Sequence, residues 1–142
     1  MPLQYSEPHE QAAWVLYRIT AEQLQASVNR TEDFRADPAN APVLDHVRRM
    51  IRETSVEGYT GCAGALRGLN YLPRLGEISV PSLFMTGKSD GSTPPVASEQ
   101  MHAAVSGSQC VIVDPASHIS NLENPAQFDA VLFAHLDAAQ NG

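Results

Sequence analysis

The sequence predicts an α/β chain in which a helical segment precedes a β-α-β-α unit with two parallel strands, and three observations carry that expectation. Residues 80–87, VPSLFMTG, make an apolar, partly β-branched run of strand length, and residues 109–114, QCVIVD, make another. Between them Ala97, Met101, Ala104 and Val105 recur at helical spacing. A helix joining two such runs is the crossover of a βαβ unit, whose strands lie parallel. Before Leu69 the apolar pattern is helical instead, so the chain divides into a helical part over residues 1–69 and a β-α-β-α part over 70–142.

Taken from the start, Ser6 and Pro8 mark a helix beginning, and Ala12, Val15, Leu16, Ile19, Leu24 and Val28 follow at helical spacing through one or two helices. Trp14 and Tyr17 lie on or beside that face, as core residues or as a pocket wall. Residues 31–41 are polar and contain Pro38 and Asn40, which predicts a connection. A second helix is predicted over residues 42–52, with Val43, Leu44, Val47, Met50 and Ile51 as its apolar stripe.

Thr54 and Glu57 have capping-box spacing and open a third helix reaching Leu66, with Val56, Tyr59, Ala63 and Leu66 inward. Gly58, Gly61, Gly64 and Gly68 each cost up to ~1 kcal/mol of helix propensity. Their number suggests that a neighbouring helix or a ligand approaches that backbone closely. Residues 70–79 lead as a loop into the first strand. Thr93-Pro94-Pro95 reads as an N-cap with prolines in the first turn, and Asn124-Pro125 repeats the device. The last helix buries Phe128, Val131, Leu132 and Leu136 before a frayed tail over residues 138–142.

A chain of 142 residues is one domain by length. Nine basic against sixteen acidic residues give a net charge of −7, and the basic ones are scattered, which argues against a nucleic-acid partner. The first ten residues lack a basic stretch followed by an apolar run, and no run approaches the ~20 apolar residues of a membrane span. The expectation is a soluble, cytoplasmic protein without membrane contact. Cys62 and Cys110 fit neither a disulfide framework nor a metal site and are predicted to be reduced core thiols. His9, His46, His102 and His135 show no ligand spacing, and no glycine-rich phosphate loop occurs, so neither metal nor cofactor is expected.

The chemistry concentrates at Asp90 and His118, which fall just past the carboxyl ends of the two predicted strands. Open parallel sheets place functional groups there because the crossovers leave a crevice at those ends. A carboxylate and an imidazole so placed suit the orienting and base members of an acyl-transfer triad. By spacing alone, Asp90 in Ser-Asp-Gly also fits a simple turn, and His118 a surface histidine. Gly87-Lys88-Ser89-Asp90-Gly91 matches the G-x-S-x-G pattern of a nucleophile elbow. In an elbow the helix starts right after the serine, which would put Pro94 and Pro95 inside it at ~3 kcal/mol or more each. Ser89 is rejected as nucleophile on that ground.

GKSDGSTPP followed by VDPASHISNLENP resembles the last third of the α/β-hydrolase fold, where an acid follows the seventh strand and a histidine the eighth. VEGYTGCAGALRGL is similar to the cap of one branch, the 3-oxoadipate enol-lactonases, whose members also carry a His-Ile-Ser-Asn-x-Glu-x-Pro stretch. Residues 118–125 fit it at every fixed position, and the resemblance covers residues 43–136. It implies a partial α/β-hydrolase fold, with Asp90 as triad acid and His118 as triad base. It also implies that the serine, the oxyanion-hole amides and most of the sheet belong to an N-terminal half that this sequence does not contain.

Two classes of function follow. One is the C-terminal part of a lactone or ester hydrolase, whose nucleophile another polypeptide supplies. The other is a non-catalytic binding or interaction module derived from such an enzyme. A two-stranded sheet leaves both edges unpaired, so a second polypeptide or a homodimer is expected to cover them.

Overall fold

A computed structural model describes residues 21–66 and 69–141, with side chains from residue 29 onward. The predicted helices at residues 6–19, with Trp14 and Tyr17, and the glycine at 68 lie outside the described residues. Helix α1 (Ala21–Ala36) is followed by a 3-10 turn (Pro38–Asn40), α2 (Ala41–Glu53) and α3 (Val56–Leu66). A second 3-10 segment (Leu72–Glu77) leads to β1 (Leu83–Gly87), α4 (Pro95–Ala104), β2 (Gln109–Val113), the single turn α5 (Ser120–Glu123) and α6 (Pro125–Asn141).

The β-α-β-α part takes the predicted form. Strands β1 and β2 pair in parallel, in register from Leu83 opposite Gln109 to Gly87 opposite Val113. Helix α4 packs on both strands and on the 3-10 segment, and α6 packs on β2 and α5. Val113, Ala116, Val105, Ala97 and Pro94 form the buried centre between them. Pro94, Val113 and Ala116 place part of that burial beneath the loops that leave the two strands. Asn124 caps α6 as expected: its Oδ1 accepts from the Gln127 N–H at 3.3 Å, with Pro125 first in the helix. The helix then runs on to Asn141, through the predicted frayed tail.

The helical part departs from expectation in five respects. Residues 31–36 are the last turns of α1 rather than a connection. The hinge is confined to Asp37, whose Oδ1 accepts from the Ala39 N–H at 2.9 Å at the start of the 3-10 turn. Thr54 does not open α3. It closes α2, its hydroxyl donating to the Met50 carbonyl at 2.9 Å, and Ser55 caps α3 by accepting from the Gly58 N–H at 2.9 Å. The residues predicted to face inward from α3 are exposed, Tyr59 at 70% and Val56 at 73%, so the helix has the right length but no neighbour on that face among the described residues. A Cβ on Gly61 or Gly64 would meet open space, so no described residue approaches those glycines closely. The stripe of α2 is half covered: Val43, Leu44 and Val47 are partly buried, whereas Met50 and Ile51 are exposed.

The cysteines are corrected as well. Both are free, but Cys62 is exposed, with no described residue covering it, and Cys110 is only partly buried.

Candidate catalytic site

The ends of the two strands are locked together before either side chain enters the picture. The Lys88 N–H donates to the Val113 carbonyl at 2.9 Å and the Ser89 N–H to the Ala116 carbonyl at 2.9 Å, extending the parallel pairing into the loops. The Ser117 hydroxyl donates to the Ser89 carbonyl at 3.2 Å. Outside these bonds, an exposed ion pair joins Lys88 Nζ to Asp114 Oδ2 at 2.6 Å.

Those loops bring Asp90 and His118 together. His118 Nδ1 lies 3.0 Å from Asp90 Oδ2. An ionised carboxylate only accepts, so Nδ1 carries a proton, and in the neutral ring that leaves the lone pair on Nε2. The burial of the two is opposite: the Asp90 side chain is 3% exposed and that of His118 60%. The carboxylate is thus fixed inside while the imidazole presents an open face.

Asp90 is held by its own turn. Its Oδ1 accepts from the N–H groups of Ser92 at 2.7 Å and Thr93 at 2.9 Å, and its Oδ2 from the Thr93 hydroxyl at 2.7 Å. Burial is the largest single influence on this carboxyl and pushes its pKa up. The bonds from the Thr93 N–H and hydroxyl, from His118 and from the Ser92 N–H together outweigh it, holding Asp90 below the ordinary 3.8. A buried carboxylate kept ionised beside an imidazole stabilises the imidazolium form and fixes the ring's orientation.

Thr93 is the residue whose role the sequence misassigned. It does not cap α4, which starts at Pro95 after Pro94. Its carbonyl accepts from the Thr86 hydroxyl at 3.1 Å, while its N–H and hydroxyl serve Asp90. The Asp-x-x-Thr spacing of a side-chain-closed turn was the available signal. In the sequence Glu123 is a fixed position of the stretch over residues 118–125 and nothing more. The structure buries it under the His118 loop, where it accepts from the Ser117 N–H at 2.9 Å and the Ile119 N–H at 3.3 Å. Ser89 stands in a turn in which the Asp90 N–H donates to the Gly87 carbonyl at 3.1 Å, with α4 beginning only at Pro95. A helix does not follow it directly, as an elbow requires.

Among the described residues no cluster of His, Cys, Asp and Glu is arranged to hold a metal ion. Nor is any described helix long and apolar enough to cross a membrane. A cavity of about 270 Å³ lies along Leu69, Tyr71, Leu72, Leu75, Ala97 and Met101, apart from the Asp90–His118 pair.

A parallel βαβ unit with a buried acid and an exposed histidine past its strands fits the last strands of an α/β hydrolase. The family model described as alpha/beta hydrolase fold matches residues 9–125, and the chain belongs to that family. Among curated relatives, 3-oxoadipate enol-lactonase 1 of Acinetobacter baylyi is 29% identical over 104 residues, covering 73% of this chain and 39% of its own length. A proline iminopeptidase of Lactobacillus acidophilus is 36% identical over 75 residues, 53% of this chain and 25% of the relative. The solved enol-lactonase from Burkholderia xenovorans LB400 matches with a TM-score of 0.67 at 27% identity, covering 91% of this chain and 45% of that one. The chain therefore spans less than half the length of these relatives.

Proposed function

We propose that this chain supplies the acid and the base of an ester- or lactone-hydrolysing α/β hydrolase of the enol-lactonase kind. The observation that carries the reading is the 3.0 Å bond from the His118 ring to the buried Asp90, with the ring's other side open. In this role Nε2 of His118 takes the proton of a serine hydroxyl as that oxygen attacks the acyl carbon, and returns it to the leaving oxygen. Asp90 holds the ring in the Nδ1–H form and stabilises the imidazolium between the two transfers. The serine comes from outside these 142 residues, in the same polypeptide or another, since Ser89 lacks the elbow geometry. Residues 1–69 act as the cap part and 70–142 as the closing part of the core.

The printed functions of the relatives divide between enol-lactonases and proline iminopeptidases, and the fit of residues 118–125 to the enol-lactonase stretch supports a small lactone or ester as substrate. In the two-stranded sheet β1 and β2 each have one paired neighbour among the described residues. Exposed Val80 and Phe133 add apolar surface to be covered. Both features support a covering unit, whether the serine-bearing segment or a second copy of the chain. The test is the isolated chain incubated with activated esters and enol-lactones. It is expected to be inert. Turnover abolished by Ser89→Ala would move the nucleophile to Ser89 and overturn the assignment.

A further inference from the structure

We propose that Glu123 is a positioning residue for His118, and that Arg30 on α1 ties it to the helical part; this rests on the reading of His118 as base. The two N–H groups that Glu123 accepts belong to Ser117 and Ile119, the residues on either side of His118. One oxygen takes each: Oε2 the Ser117 N–H and Oε1 the Ile119 N–H. A single planar carboxylate therefore spans the backbone of the base, and its side chain is 5% exposed. Asp90 holds the ring at Nδ1 and Glu123 holds the chain from which the ring projects, so the direction of Nε2 is fixed at both ends.

A carboxylate this buried requires compensation for its lost hydration. Part comes from the two N–H donors and part from Arg30, whose Nε lies 3.5 Å from Glu123 Oε2. At that separation Nε makes no hydrogen bond, so the contribution is one of charge. The Arg30 guanidinium lies 5.6 Å from the centroid of the Phe34 ring, and Phe34 is itself buried. The contact thus runs from Phe34 and Arg30 on α1, through Glu123, to the loop bearing the base. A shift of α1 that withdraws Arg30 leaves Glu123 buried without its cation and loosens its hold on the loop.

The experiment is nitrogen NMR of the full chain labelled at histidine, at a pH where His118 is neutral. The Asp90 bond keeps the proton on Nδ1, whereas an unconstrained imidazole favours Nε2–H. The unmodified chain is expected to show the Nδ1–H form, and folded Glu123→Gln and Glu123→Asp are expected to lose it. Glutamine turns an N–H toward one of the two donors, and aspartate is too short to span both. Amide exchange of Ser117 and Ile119 is expected to quicken roughly tenfold or more in Glu123→Gln, the loss of a hydrogen bond to a charged acceptor. It is expected to quicken in the same direction in Arg30→Gln.

Persistence of the Nδ1–H form in both folded Glu123 variants overturns the proposal while leaving the Asp90–His118 pair intact. Unchanged exchange in Arg30→Gln overturns the link to α1. An unmodified chain already in the Nε2–H form overturns the pair itself. If Glu123→Gln does not fold, exchange of Ser117 and Ile119 at free-amide rates in the unmodified chain still refutes the clamp.

Discussion

Gly87 and Ala116 are in such close backbone contact that a Cβ placed on Gly87 would lie 2.7 Å from both the Ala116 carbonyl carbon and its oxygen, and nearer still to the Ser117 carbonyl oxygen. The last residue of β1 thus sits directly against the chain leading to His118. The atoms met are backbone, with no flexible side chain to yield. Gly87→Ala is expected to destabilise the fold by about 3 kcal/mol, the upper end for overpacking a tight site. It is also expected to separate Asp90 from His118. Denaturant unfolding checks the first, and the histidine nitrogen spectrum the second. A midpoint within error of the unmodified protein would refute the contact.

Asp90 gives the fold a dependence on acid. Its carboxyl is held below the ordinary 3.8, so the ionised form is favoured by folding. The resulting stability is fully present above 3.8 and is lost as pH falls through the lower folded value. Urea unfolding of the unmodified protein and of Asp90→Asn is expected to show a gap that is steady near neutrality and closes as pH drops below 3.8. A gap that widens in acid would contradict the bonding pattern around the carboxylate.

The two thiols are expected to react in a fixed order. Cys110 is partly buried, and burial first, then the nearby Glu99 charge, pushes its thiol pKa up. Less of it is thiolate at a given pH, and less of it is reachable. Cys62 is exposed on α3. Alkylation followed by peptide mass spectrometry is expected to mark Cys62 first, and equal rates would contradict the packing of β2.

The sheet and the placement of the acid and histidine were legible because apolar strand runs, a crossover pattern and the parallel rule converge on the same loops. Asp90 and His118 stand where the ends of β1 and β2 required. What was not legible depends on competition between partners. Thr93 precedes two prolines and looks like a cap, yet a buried carboxylate three residues earlier offers its hydroxyl a stronger acceptor. Residues 31–36 look like a linker because only Phe34 among them is buried, while Arg, Glu and Ala continue a helix readily. The stripe of α2 and the α3 residues expected to face inward are apolar at helical spacing. Periodicity identifies an apolar face and says nothing of whether a neighbour covers it.

The proposed role of Asp90 and His118 is to act on a serine from outside these residues. The direct test combines the chain with the N-terminal half of the Acinetobacter baylyi enol-lactonase and follows enol-lactone hydrolysis. The account predicts turnover that needs both parts. It predicts that His118→Ala lowers kcat by about 10³-fold or more, and Asp90→Asn by about 10²-fold or more, with little change in KM. No turnover from the combination, or turnover that survives His118→Ala, would contradict it.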